Sequence, residues 1–354
     1  ANGNVTAFAI GTGGGAKVAY RADYAVDERF ELLSVAATGG ASTLISGAPV
    51  TGRTAYAPNL VPTSNRVIFR SNRDDVNKTE LFAAPIDGSS APQKLAAILA
   101  TSGAVDGGIE ITGSGGYAVF NADRDVTGRK ELYAVNLVTN VVTKLSGTTV
   151  TGGNTTKFVL SQNGTRVVFR ADRETDETYE LWSADIASGG APVRVSGPMV
   201  AGGNVLPDFA ISGDSSHAIF RADSLTAGQI ELWYGALAGG TPMRVSGNMV
   251  ANSNVSYFVK SDAPTRIFFR ADRESPDVHE LWRVQPNIGD WALDIDGDDV
   301  IDPATDGVLL TRWLLGFRGA ALVNQAVTAS PSAMRTNVVD IENYLRLLTR
   351  MSSQ

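Results

Sequence analysis

The chain has no cysteine and only two histidines, His217 and His279. Without thiols there is no disulfide framework, no thiolate zinc site, no cysteine nucleophile and no covalent c-type haem. Two imidazoles exclude a histidine-rich metal centre. No run of 18 apolar residues occurs, so no segment reads as a membrane-spanning helix. No basic stretch is present to grip a phosphate backbone, which argues against nucleic acid as a partner. The composition is 43% apolar and 19% charged, too apolar for a disordered chain. The 354 residues fit one large all-β domain with a smaller companion.

Net charge is confined to one segment. Residues 290–306 hold seven aspartates (Asp290, Asp294, Asp296, Asp298, Asp299, Asp302 and Asp306) and no Lys or Arg. Without them acids and bases balance at 30 each, so the net charge of -7 has a local origin. Such a stretch asks for a cation.

The rest of the chain repeats itself. A Glu-Leu pair recurs at Glu31, Glu80, Glu131, Glu180, Glu231 and Glu280, at intervals of 49 or 51 residues. About ten residues before each pair comes an apolar run closed by Asp23, Asn72, Asp123, Asp172, Asp223 or Asp272. A turn signal returns every 50 residues near Asn4, Thr54, Ala104, Asn154, Asn204 and Asn254. Six copies of one unit are present, and periods of this length mark repeat architectures.

Each unit reads as four short strands. In the fourth copy, Lys157–Ser161, Arg166–Ala171, Tyr179–Asp185 and Pro192–Val195 have strand character, with turns at Gln162-Asn163-Gly164 and Ser188-Gly189-Gly190. Four antiparallel strands per 50 residues is the pattern of a β-propeller blade. The expectation is an all-β, six-bladed β-propeller over residues 1–288, followed by a small α-helical calcium-loop domain over residues 289–354. Pairing of the second and third strands would set Arg21 against Glu31, Arg70 against Glu80, Arg170 against Glu180, Arg221 against Glu231 and Arg270 against Glu280. Cross-strand ion pairs are expected there, weakened to Asn121 with Glu131 in the third copy. Trp182, Trp233 and Trp282 share a register with Tyr133, Phe82 and Leu33 and read as packing residues. The glycines at 11–15 fall on a hairpin turn with no following helix, which excludes a nucleotide loop. His217 reads as a surface residue.

The F-R-A-D-R … E-L-W … P-V-R-V-S-G unit resembles the WD40-like propeller repeats of the TolB C-terminal domain and the ELWxxDGT repeats of bacterial surface proteins. The resemblance covers about residues 1–288 and implies a fold rather than a function. The chain opens inside a repeat at Ala1, and the sixth copy has no P-V-R-V-S-G strand of its own. A processed N-terminus is expected, with a last blade whose open edge docks the tail or a strand of another chain.

The acidic segment carries the sharpest chemistry. Asp294, Asp296, Asp298 and Asp302 occupy positions 1, 3, 5 and 9 of a loop, and Val300 at position 7 offers its carbonyl. That is the oxygen spacing of a calcium loop, because a hard cation collects six to eight oxygens from alternate residues of a tight turn. Position 6 is Asp299 rather than Gly, and position 12 is Thr305, so Asp306 is taken as the closing ligand after a one-residue expansion. Helices are expected at Gly307–Phe317 and Val338–Arg350. The segment resembles a dockerin or EF-hand-like half-repeat, which implies one bound Ca²⁺.

Residues of the innermost strands line the channel of a propeller. Glu110, Lys157, Asp208 and Lys260 break the repeat there and are the candidates for a ligand site. No nucleophile elbow or Ser-His-Asp constellation is seen. The functional expectation is a non-enzymatic secreted or bacterial cell-surface protein, binding protein or glycan and self-assembling through the open last blade. The alternative is a carbohydrate-active lyase or hydrolase acting at the channel.

Overall fold

The computed structural model describes residues 3–11, 16–48, 50–62, 64–261, 266–284, 286, 293–297, 302–327 and 335–351. Its strands follow the 50-residue period. Repeats one, three and five each form a four-stranded antiparallel sheet with strands in chain order. Repeat four has the same strand order. Repeat two adds a fifth strand, Gly103–Ala104, which pairs in parallel with Lys78 and Thr79. Repeat six forms three strands, Val255–Lys260, Ile267–Ala271 and Glu280–Val284. A succession of four-stranded antiparallel sheets is the building plan of a propeller.

In repeats two to five the second strand is apolar at consecutive positions because it is covered on both faces. Val67, Ile68 and Phe69 are fully buried, as are Ala118, Val119 and Phe120 in repeat three and Ala218, Ile219 and Phe220 in repeat five. At the turn of repeat four, Gly164 has φ of 69° and Asn163 Oδ1 accepts the Thr165 amide, as the Asn-Gly pair predicts. The last strand of that repeat starts earlier than expected, at Gly189, with Gly189 and Gly190 at φ of 74° and 56°.

The register overturns the expected Arg–Glu pairing. Glu31 lies opposite Ala22 and Arg21 opposite Leu32, and the same offset recurs at Glu80, Glu231 and Glu280. One residue of offset puts the two side chains on opposite faces. Five of the six glutamates find their cation elsewhere. Glu80 pairs with Lys94 at 2.6 Å, Glu131 with Lys144 at 2.6 Å, Glu180 with Arg194 at 3.4 Å and Glu231 with Arg244 at 2.7 Å. Those cations recur every 50 residues on the fourth strand or next to it. In repeat one Arg29 takes the role, at 3.0 Å from Glu31.

The arginines of the second strand instead tie one repeat to the next. Arg21 donates to the Ala55 carbonyl at 2.7 Å, Arg70 to Val105 at 2.9 Å, Arg170 to Val205 at 2.6 Å and Arg221 to Val255 at 2.9 Å. The aspartate two residues on caps backbone: Asp223 accepts the amides of Asn204 and Gly228, and Asp123 those of Ala104 and Gly128. Apolar cores accordingly lie between successive sheets. One joins Ala19 and Leu32 to Val67, Phe69 and Phe82, and another joins Ile68 and Leu81 to Ala118 and Phe120. Tyr133, Trp182 and Trp233 are buried packing residues, as expected.

The chain divides into two compact units, Ala1–Val167 with Ala184–Pro192, and Val168–Ser183 with Val193–Gln354. Among the described residues three helices follow the repeats: α1 (Asp306–Leu314), α2 (Ala320–Val323) and α3 (Val338–Met351). Leu309, Trp313, Leu322, Ile341, Tyr344 and Leu345 share one apolar core with Tyr234, Met243, Phe258 and Phe269 of repeats five and six. The helices are too short to enclose a core alone, so they complete one with the sheets. Helix α1 stops before the expected Phe317, because Gly316 at φ of 88° closes it: Phe317 donates to Arg312 O and Gly316 to Trp313 O. Asn337 caps α3 by accepting the Asp340 amide at 3.0 Å. Arg244 bonds Asp340 as well as Glu231, fastening α3 to repeat five.

Candidate functional site

Two places gather unusual side chains. The first is the acidic loop. Ile295 is fully buried in the core shared by the sheets and helices, and this drags its neighbours inward. Asp294, Asp296 and Asp306 are all at least 96% buried, with carboxylate oxygens within 4.8 Å of one another. Asp306 opens α1 and reaches back to the loop: its Oδ1 accepts the Ile295 and Asp296 amides at 2.5 and 3.2 Å, and its Oδ2 the Asp302 amide at 2.9 Å. Asp294 Oδ1 accepts the Gly297 amide at 2.7 Å. Burial pushes the Asp306 carboxyl up, with Asp296 adding to the rise and the three amides opposing it.

Sequence reasoning missed Arg335. This 6%-exposed guanidinium donates to the Ile295 and Asp294 carbonyls at 2.7 and 2.6 Å, and its own amide donates to Asp296 O at 2.7 Å. It also stacks 4.0 Å over the Tyr344 ring. The sequence signal was slight: one arginine in a stretch otherwise poor in charge. Of the other expected ligands, Asp302 is exposed and turns its Oδ1 onto the Ala304 amide at 2.8 Å, outside the three-carboxylate cluster. Asp298 and Val300 lie outside the described residues.

This donor set fits a hard divalent cation. Three buried carboxylates this close gain from added positive charge, and their oxygens are hard donors. Arg335 contributes one charge, and its bonds go to carbonyls. When bound, calcium would neutralise the cluster and lock the loop to the first turn of α1.

The second place lies between repeats three and four. Asp106, Glu110, Asn121, Thr156, Lys157 and Phe158 line a cavity of about 210 Å³. Glu110 Oε2 accepts the Leu160 amide at 3.3 Å; burial pushes its carboxyl up, while that amide and Lys157 pull it down. Asp106 is held by Lys130 at 2.8 Å. Asn121 is 6% exposed, and its Oδ1 is buried without a hydrogen-bond partner.

The four expected channel residues are placed as follows. Glu110 and Lys157 share this cavity, whereas Asp208 is bound by Arg221 at 2.7 Å. Lys260 ends the first strand of repeat six, opposite Ile267. His217 is not the surface residue expected: it is half-buried and stacks on Tyr234 with ring centroids 4.3 Å apart.

No protein-family model matches the chain, and no curated protein matches it. Solved structures do. A putative TolB from Agrobacterium tumefaciens matches with a TM-score of 0.38 and 15% identity, over 69% of this chain and 80% of that one. Prolyl oligopeptidase B from Galerina marginata matches with a TM-score of 0.46 and 8% identity, over 80% of this chain and 42% of that one. An oligogalacturonate lyase in complex with manganese matches with a TM-score of 0.37 and 15% identity, over 59% and 54%. The chain thus spans most of the TolB structure but only about half of the lyase and less of the peptidase.

Proposed function

We propose that the chain is a secreted or cell-surface binding and assembly protein. In this reading six blades form a propeller that serves as an interaction platform, and one calcium ion holds the helical tail. Asp294, Asp296 and Asp306 are the central ligands, and Asp298, Val300 and Asp302 supply further oxygens of the loop. The observation that carries the reading is the cluster of three buried carboxylates with oxygens within 4.8 Å of one another.

Self-association is the assembly step. Leu32, Leu81, Leu132, Leu181 and Leu232 are fully buried, whereas the equivalent Leu281 is 78% exposed. Val5 and Phe8 of repeat one are also exposed, where Val205, Val255, Phe209 and Phe258 are buried. In this reading a second copy of the chain adds to the open edge of the last repeat.

Elemental analysis after dialysis against calcium, together with sedimentation over a concentration series, tests the proposal. One calcium per chain and concentration-dependent association are expected. A metal-free protein removes the calcium tail, and a monomer at every concentration removes the assembly. Polysaccharide turnover that is lost in Glu110→Gln would assign the carbohydrate-active alternative instead.

A further inference from the structure

Repeat three departs from its neighbours at one position. Where repeats one, two, four and five place Arg21, Arg70, Arg170 and Arg221, it has Asn121. In each of the four, the guanidinium crosses to the following repeat and donates to a carbonyl at or just before its first strand. Three of them also stack on an aromatic ring: Arg21 on Phe30 and Arg170 on Tyr179, each at 3.7 Å, and Arg70 on Tyr56 at 4.5 Å. Asparagine is too short to make this crossing. The space is left as the cavity between repeats three and four, with the unpartnered Asn121 Oδ1 in its wall. The hydroxyl of Thr155, which stands where the other repeats have Ala55, Val105, Val205 and Val255, is likewise buried without a partner.

We propose that this cavity binds an alkylguanidinium head group, carried either by a small molecule or by an arginine side chain of a partner. The ligand takes the place that the chain's own arginines take at the equivalent junctions. The lining offers acceptors to a planar, five-donor cation: the carboxylates of Asp106 and Glu110 and the Asn121 carbonyl oxygen. Phe158 supplies an apolar wall. Lys130, which replaces the aromatic at Phe30 and Tyr179, is turned onto Asp106 and Asp123. Lys157 is the one cation among the lining residues, and it is exposed. The volume lies below the ~300–1,000 Å³ of ordinary small-molecule pockets, which suits a head group rather than a large ligand. The proposal adds a ligand to the binding reading above and is independent of the calcium tail.

The test is calorimetric titration of the full chain with agmatine, with a short arginine-containing peptide, and with butylamine as a cation lacking the planar fork. Both guanidines should bind saturably and butylamine about tenfold more weakly. Tighter binding of agmatine assigns a free small molecule, and tighter binding of the peptide a partner side chain. Asn121→Arg refills the cavity with the side chain used at the other junctions, and should fold and lose at least tenfold in affinity. Should that variant not fold, Glu110→Gln should weaken binding about tenfold. Lys157→Met should tighten it severalfold by removing a competing cation. Absence of saturable binding at millimolar guanidine, unchanged affinity in Asn121→Arg or Glu110→Gln, or loss of binding in Lys157→Met overturns the proposal. None of these results bears on whether the tail holds calcium.

Discussion

Replacing Asp296 by Asn should stabilise the metal-free protein and destabilise the calcium-loaded one. Asp296 is fully buried beside Asp294 and Asp306, and without an ion the three carboxylates repel one another. Removing one charge relieves that repulsion, so in EDTA Asp296→Asn should melt no lower than the parent. With calcium the order reverses. An ion at 100 times its dissociation constant stabilises the state that binds it by about 2.7 kcal/mol. For a unit of 150–250 residues each kcal/mol moves the midpoint by about 2–4 °C, so calcium should raise the transition of the helix-bearing unit by about 5–11 °C in the parent. In Asp296→Asn most of this shift should vanish. Scanning calorimetry in EDTA and in calcium, at matched ionic strength, reads both effects. A parent midpoint that differs by less than about 1 °C between the two conditions, or a variant that keeps the full shift, refutes the reasoning.

Further outcomes follow from other contacts. Arg335→Ala removes two buried charge-assisted bonds and the stack on Tyr344, and should cost about 3 kcal/mol in urea unfolding, at ~1.5–3 kcal/mol per charged bond. A loss below about 0.5 kcal/mol, the noise of ordinary surface changes, would show that the clamp does not hold the loop. Leu232→Ala should cost about 2–5 kcal/mol, and Leu281→Ala less than about 0.5; equal costs would mean that the last repeat is covered in solution. Burial holds the His217 imidazole below its ordinary value, against Asp214, which raises it. The folded state therefore favours the neutral ring, and its contribution is complete above the unfolded value of about 6.5 and falls as the pH drops below it. Urea melts between pH 8 and pH 5 should show this slope, and His217→Phe should flatten it. A slope unchanged by the substitution assigns the acid sensitivity to other groups.

The period and the strand content were legible because each repeat carries its own turn glycines and apolar runs. Register was not. Whether Arg21 faces Glu31 or Leu32 turns on a single residue of hairpin offset, and both pairings satisfy the same composition. The cations that do meet the glutamates, Lys94, Lys144, Arg194 and Arg244, are as periodic as the arginines, and only the fold decides between the two sets. Asn121 stood out in the sequence as a weaker pair; its consequence, a cavity, needs the neighbouring repeat in place. The meeting of Asp294, Asp296 and Asp306 was readable from spacing, whereas Asp302 falls outside that cluster. Arg335, some 40 residues away, left no pattern to find. The merging of the helices with repeats five and six was equally hidden, because an apolar stripe does not name the surface it will cover.

The second-strand arginines have a bearing on how the chain acquires its structure. The four carbonyl bonds of Arg21, Arg70, Arg170 and Arg221 span 34 or 35 residues, one module forward. Ordering can then spread by a zipper-like progression, in which a folded module presents its acceptor carbonyls to the module just behind it and no step waits for distant chain to arrive. Asparagine at position 121 leaves one tooth of that zipper unengaged, so the junction of the third and fourth modules is where the progression should pause.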